Sequence, residues 1–216
     1  MSEDIDSILE FWFGHGKTAT EVAAEKSPLW WSKNDSVDQE ISNRFAATTA
    51  AVANGELAHW GKSGRGLLAL IICTDQFPRN MYRDTAKAFS FDPMALGFAK
   101  RCLDKSLDKS LDKSLDKSLD SGMQQQLTPI ECVFAYLPFE HSEELAEQQR
   151  SVALYQALAQ SVGSDETELF QGYCEFADQH YQIIERFGRF PHRNQVLQRA
   201  SSDEEQAFLE QPGSSF

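Results

Sequence analysis

Apolar residues recur at helical spacing along almost the whole chain, and no stretch alternates apolar with polar residues between hairpin turns. A chain patterned this way can bury its apolar faces only by packing helices on helices, so an all-α fold is expected. Ile5, Ile8, Leu9, Trp12 and Phe13 share one face of a first helix that Gly14 can close. Residues 14–28 are small, charged and aperiodic, and read as a loop. Ser36 with Gln39 has the form of a capping box, opening a helix with Val37, Ile41, Phe45 and Val52 as its stripe and Gly55 as its stop. The next runs from Gly66 to about Phe77 and is apolar on most sides, which predicts a central position.

Asp92-Pro93 sets a cap before a first-turn proline, and Thr128-Pro129 with Glu131 repeats that logic. Pro138 is expected to end the helix that Thr128 starts. Ser142 opens another, reaching Ser161. A further helix spans Asp165 to Phe187, and Ser202 with Glu205 begins a last short one. The count is about eight or nine helices, expected as a single all-α domain over residues 1–216.

Leu103 to Asp120 interrupts this pattern with Leu-Asp-Lys-Ser repeated four times and a closing Leu-Asp. On an α-helix, leucines every four residues advance by roughly 40° per step, so they never form a straight stripe. Like charges at i,i+4 oppose the helix further. This tract is expected to be a surface insertion in the domain, without function of its own.

The chain carries 20 basic against 33 acidic residues, a formal net charge of -13, which disfavours nucleic-acid backbones and anionic membranes as partners while leaving room for a local basic pocket, so no nucleic acid and no membrane are expected. The acidic start, Met1 to Glu10, lacks the order of a signal peptide, and the longest apolar run, Leu67 to Cys73, is too short to span a bilayer. A cytoplasmic protein is expected. Cys73, Cys102, Cys132 and Cys174 are widely spaced in apolar helical stretches and read as reduced, buried thiols. Gly61-Lys62-Ser63 is not a phosphate loop, because Glu56 stands where its first glycine belongs.

Two short segments distant in sequence are near-copies: Asp75-Gln76-Phe77-Pro78-Arg79-Asn80 and Gly188-Arg189-Phe190-Pro191-His192-Arg193-Asn194. Each carries a fixed cation out of an apolar helix. The plain reading of the first is a helix exit, with Pro78 stopping the helix. The functional reading is a carboxylate or phosphate clamp made by Arg79 with Asp75 as partner or base, guanidinium being suited to bidentate anion recognition. Arg186, Arg189, Arg193 and Arg199 are four of the ten arginines, with no acid between them. Their expected internal partners are Glu140, Glu143, Glu144 and Glu147.

Phe139 to Glu144 is the densest titratable group. On a helix, Glu140, Glu144 and Glu147 would share a face, and His141 beside carboxylates can act as a general base. The competing reading is a set of acids favoured at a helix start. Neither HExxH nor a Glu-x-x-His pair is present, so no metal site is assigned. His180 lies on an apolar stripe and reads as a hydrogen-bonded core residue, whereas His192 is expected to face a pocket.

Phe11-Trp12-Phe13-Gly14, Trp30-Trp31, Gly55-Glu56-Leu57 with Trp60, Asp75 to Asn80, Tyr82-Arg83, Pro138 to Glu143 and His180 to Asn194 occur in the order found in the bacterial domain-of-unknown-function 924 family, which the chain resembles from about Ile8 to Leu209. The resemblance implies a tetratricopeptide-like helical array and no particular activity. Members generally have glycine where this chain has Asp84 and Gln198, and a short connection where it has the Leu-Asp-Lys-Ser tract.

Three functions follow as expectations. The first is a module binding a small anionic molecule or peptide, with Arg79, Asn80, Arg189, Arg193 and Asn194 as ligand contacts and Trp60, beside Trp30 and Trp31, as apolar wall. The second is a hydrolase or lyase with His141 or His192 and Glu140, Glu144 or Asp75 as acid and base, open to metal assistance. The third is a scaffold whose polar motifs only hold helices together. No cofactor is indicated.

Overall fold

The structure is a computed structural model that describes residues 3–104 and 122–214. The repeat tract from position 105 onward lies outside the described residues. Among those described every regular element is a helix, and there is no strand. The helices are α1 (Ile5–Phe13), α2 (Ala19–Trp31), α3 (Asp35–Ala53), α4 (Gly64–Ile71), α5 (Phe77–Met81), α6 (Asp92–Cys102), α7 (Pro129–Glu140), α8 (Leu145–Ser161), α9 (Thr167–Phe187) and α10 (Asp203–Leu209).

α4 is the centre, as its uniform apolarity predicts. Leu67 to Cys73 are fully buried, and α1, α6 and α7 pack around it. An aromatic cluster joins the elements. Phe45 stacks on Phe77 with centroids 4.4 Å apart, and Trp12 meets Phe134 edge-on at 5.7 Å. α8 and α9 form a helical hairpin against α7. A smaller cluster of Ile183, Ile184 and Phe190, with Phe187 and Phe208, anchors α10.

Four local expectations are corrected. Residues 19–31 are a helix, not loop. Its start is a Thr18–Glu21 capping box, in which Thr18 Oγ1 accepts from the Glu21 N–H at 3.2 Å. Its buried face is small (Ala19, Val22, Ala23 and Trp30), which is why the periodicity is faint. The α3 cap is Asn34, whose Oδ1 accepts from the Ser36 and Val37 N–H groups, not Ser36. Pro138 does not end α7, which runs on to Glu140 and is buried on nearly every side. Packing there outweighs the roughly 3 kcal/mol an interior proline costs. Pro78 does not end its helix either. Ile72–Gln76 form a π-turn between α4 and α5. Pro78 has no N–H to offer and its ring would crowd the preceding turn, so the wider turn lets the helix pass the proline.

Among the described non-glycine residues, positive φ occurs at Asp84 (60°) and Gln198 (56°), the two positions where the family resemblance leads glycine to be expected. Each stands the same distance beyond the Arg-Asn of its twin segment, Arg79-Asn80 or Arg193-Asn194. Both turns take the left-handed geometry without a glycine. No helix among the described residues is long and apolar enough to cross a membrane.

Candidate functional site

The π-turn inserts one extra residue into the central helix and aims Asp75 inward, where its side chain has no solvent exposure. Its Oδ1 lies 2.8 Å from His141 Nδ1, and its Oδ2 accepts from Gln76 Nε2 at 2.5 Å. His141 caps the C-terminal end of α7. One turn beyond Asp75, Arg79 donates to the Asp75 carbonyl at 2.5 Å and lies 3.4 Å from its carboxylate. Both terminal nitrogens of Arg79 then grip Asp92 in a fork, at 3.0 and 3.1 Å. Arg193, on the second twin turn, donates Nη1 to the same Asp92 at 3.3 Å and to the His141 carbonyl at 3.1 Å. Its guanidinium lies 4.7 Å from the Phe89 ring centroid and 4.5 Å from that of Phe190.

The two near-copies therefore meet, and His141 meets them. The cluster has a wet edge, since the side chains of Arg79, Asp92 and His141 retain 21%, 19% and 14% of their exposure while Arg193 keeps 7%. Behind His141 lies a second layer. His180 Nδ1 donates to the Phe176 carbonyl at 2.8 Å and stands 3.3 Å from Glu140 Oε1, both side chains being buried.

The electrostatics are ordered. Burial alone would raise Asp75, but Arg79 and then His141 hold it far below the usual carboxylate range. Burial, with Arg79 adding to it, holds His141 below its ordinary value. Burial takes His180 down to about 3 and, with Arg193, His192 down to about 4. Glu140, buried and facing no cation of its own, is pushed up to about 8 and is neutral at pH 7. Arg193 is brought down to about 10 by burial and by Arg79 beside it. Both guanidiniums disfavour protonation of His141 and His192, and Arg193 disfavours that of His180.

The remaining candidates stand elsewhere. Asn80 donates to Asp38 at 2.8 Å, where Arg83 forms a fork on the same carboxylate. Arg189 forks onto Glu205 and reaches the Ala200 carbonyl, and Arg186 pairs with Glu204. Asn194 braces its own turn by donating to Ser201 and accepting from Arg199. Trp60 is buried in the 3-10 turn Ala58–Lys62 ahead of α4, and Trp30 is in the core, its Nε1 donating to the Trp12 carbonyl. Glu144 is exposed at the α8 N-cap, because the chain breaks helix between His141 and Glu144 and so separates it from Glu140. Of the acids expected to pair with the arginine cluster, Glu143 does so, with a fork from Arg199 at 2.6 and 2.9 Å. Glu147 takes Lys100 instead. His192 lines a shallow depression of about 480 Å³ with Gln195, Arg199 and Ser201, a space that Arg79 and His141 do not border.

Asp92 is the residue that sequence reasoning passed over. Its Asp-Pro pair signals a helix start, and it is the first residue of α6, but its carboxylate serves the two arginines rather than the cap. Among the described residues no group of three or more His, Cys, Asp and Glu is placed to hold a metal ion.

Residues 8–213 match the profile of a family described as "Bacterial protein of unknown function (DUF924)". The chain belongs to that family. A solved structure of a protein of unknown function from Agrobacterium tumefaciens, ATU0120, is similar to it at 33% identity and a TM-score of 0.70, covering 95% of this chain and 96% of that one. Comparison with the curated proteins gives no match. The family supplies the fold and no chemistry, so function has to be argued from the cluster.

Proposed function

We propose that this DUF924 member binds a small anionic molecule, a carboxylate or phosphate bearer, at the edge where Arg79, Asp92, His141 and Arg193 meet. The observation that carries the reading is that two guanidiniums from separate turns share one carboxylate. Arg193 keeps a buried Nε without a hydrogen bond, donor capacity that the protein leaves unused. An incoming anion meets two cations, the His141 ring and an aromatic side chain, Phe89. Four buried free thiols suit a reducing compartment, and we place the protein in the cytoplasm.

The test is a thermal-shift and calorimetric screen of small carboxylates and inorganic phosphate, with Arg193→Lys beside wild type. Saturable binding weakened at least about tenfold by Arg193→Lys supports the reading, since a flexible ammonium lacks the planar, spread donors of the guanidinium that reaches both Asp92 and the His141 carbonyl. Binding left intact by that change contradicts it.

The Asp75–His141 pair favours a second reading, in which the bound molecule is processed. A buried carboxylate on Nδ1 fixes the imidazole tautomer and leaves Nε2 as the basic nitrogen, as acid–base catalysis needs. A panel of ester, amide and phosphoester substrates tests it. Turnover abolished by His141→Gln is expected, and turnover that survives the change removes His141 as the base.

A further inference from the structure

We infer that Asp92 is a built-in occupant of the arginine clamp, and that the natural ligand is a small monocarboxylate whose carboxylate group displaces the Asp92 side chain. This rests on the binding reading above and names its ligand class.

The geometry at Asp92 is that of a bound carboxylate. Arg79 meets both oxygens, one with each terminal nitrogen, at 3.0 and 3.1 Å, and Arg193 adds a third bond at 3.3 Å. A planar two-oxygen group satisfies that donor set, whereas a tetrahedral phosphate would leave oxygens facing the Phe89 side of the clamp without donors. The charge count agrees. With Asp92 swung out, the clamp holds two guanidiniums against the Asp75 carboxylate, with His141 neutral and Glu140 protonated. The remainder is one positive charge, which a monoanion balances and a phosphate dianion exceeds.

The side chain is free to leave. Asp92 is the first residue of an 11-residue helix, so rotation about its own side-chain bonds moves the carboxylate without disturbing the backbone. It already keeps an edge in water, unlike Asp75. Its place at the N-terminal end of α6 favours an anion in either position, bound or swung out. Exchange of one carboxylate for another conserves the hydrogen bonds of Arg79 and the Nη1 bond of Arg193. The exchange is therefore close to balanced for a bare carboxylate such as acetate, and the resident side chain means that wild type saturates only at high ligand concentration.

The experiment titrates acetate and formate, with inorganic phosphate as comparator, into wild type, Asp92→Asn and Asp92→Gly by calorimetry and thermal shift. Acetate is expected to bind Asp92→Asn at least about tenfold tighter than wild type. It should also raise the melting temperature of Asp92→Gly saturably, and adding Arg193→Met to that variant should abolish the rescue. In wild type, which needs no refolding of a variant, the carbon-13 signal of the Asp92 carboxyl should move as acetate saturates. Acetate that binds wild type and Asp92→Asn equally, with that signal unmoved, overturns the inference and leaves the binding reading standing. Phosphate binding tighter than acetate overturns the ligand class. No binding of any anion to any of the three removes both.

Discussion

Arg79 and Arg193 close on the carboxylate of Asp92 from two turns of matching sequence, so that one acid ties α6 to the central helix and to the turn after α9. The outer parts of the turns also correspond. Arg83 forks onto Asp38 beside Asn80, and Arg199 forks onto Glu143 while bonded to Asn194. Each corner has an inner arginine directed at Asp92 and an outer one held by an acid from elsewhere in the chain, Asp38 of α3 for Arg83 and Glu143 of the α7–α8 connection for Arg199. The outer pairs keep the corners rigid, and the inner pair is left to face the wet edge.

Arg79→Ala and Arg193→Ala should each destabilise the fold by about 3 kcal/mol, the cost of stripping a partner from a buried pair. The double variant should cost less than the sum, because the two cations repel and share one acid. Urea denaturation of the four proteins checks this. Strict additivity would mean that the two guanidiniums do not act on the same group.

Stability should peak near pH 6.5. Below that, His180 and His192 are charged in the unfolded chain but neutral when folded, with folded values of about 3 and about 4, so the unfolded state binds more protons and stability rises with pH. Glu140 has the opposite sign. Folded at about 8, it holds a proton that the unfolded chain has already lost, so between about 6.5 and 8 stability falls by up to roughly 1.4 kcal/mol per pH unit. Glu140→Gln should remove the alkaline decline and steepen the acid limb between about pH 4.5 and 6.5, where the Glu140 proton opposes the two histidines. Denaturation midpoints from pH 4 to 9 give both limbs. A wild type whose stability does not fall between pH 6.5 and 8 would show that Glu140 is ionised in the fold.

Asp75→Asn should move the His141 titration further down, because the carboxylate is the group that favours the imidazolium against burial and Arg79. Histidine NMR across pH reads it directly. An upward movement of His141 would mean that Asp75 is not its partner.

Gln198→Gly should stabilise by about 1 kcal/mol, since an L-residue in the left-handed region is strained. Asp84→Gly should gain less, aspartate being tolerated there. Melting temperatures measure both, and a loss at Gln198 would show that its side chain contributes more than the strain costs.

The helices were legible because their apolar stripes and caps repeat one physical rule. Ile8, Trp12, Ile41 and Phe45 are buried where the period puts them, and Thr128–Glu131 and Ser202–Glu205 are capping boxes. α2 was hidden because its buried face is small, though Thr18 and Glu21 carried the signal. Arg79, Arg193, His141 and Asp75 were visible as residue types in matching turns. Asp92 was not, since a helix-start aspartate has the same sequence signature whether it caps the helix or serves an arginine. Nor could the sequence show that Pro78 and Pro138 lie inside helices, because it is the surrounding packing that overrides the proline.

The central claim is that Arg79, Arg193, Asp92 and His141 form one anion site. Nitrogen-15 histidine spectra recorded while acetate is titrated into wild type address it most directly. The account predicts that the His141 ring signals move saturably, along one binding curve, and that Arg193→Lys weakens that curve. Acetate that leaves His141 unmoved while binding elsewhere, or a curve indifferent to Arg193, would contradict it.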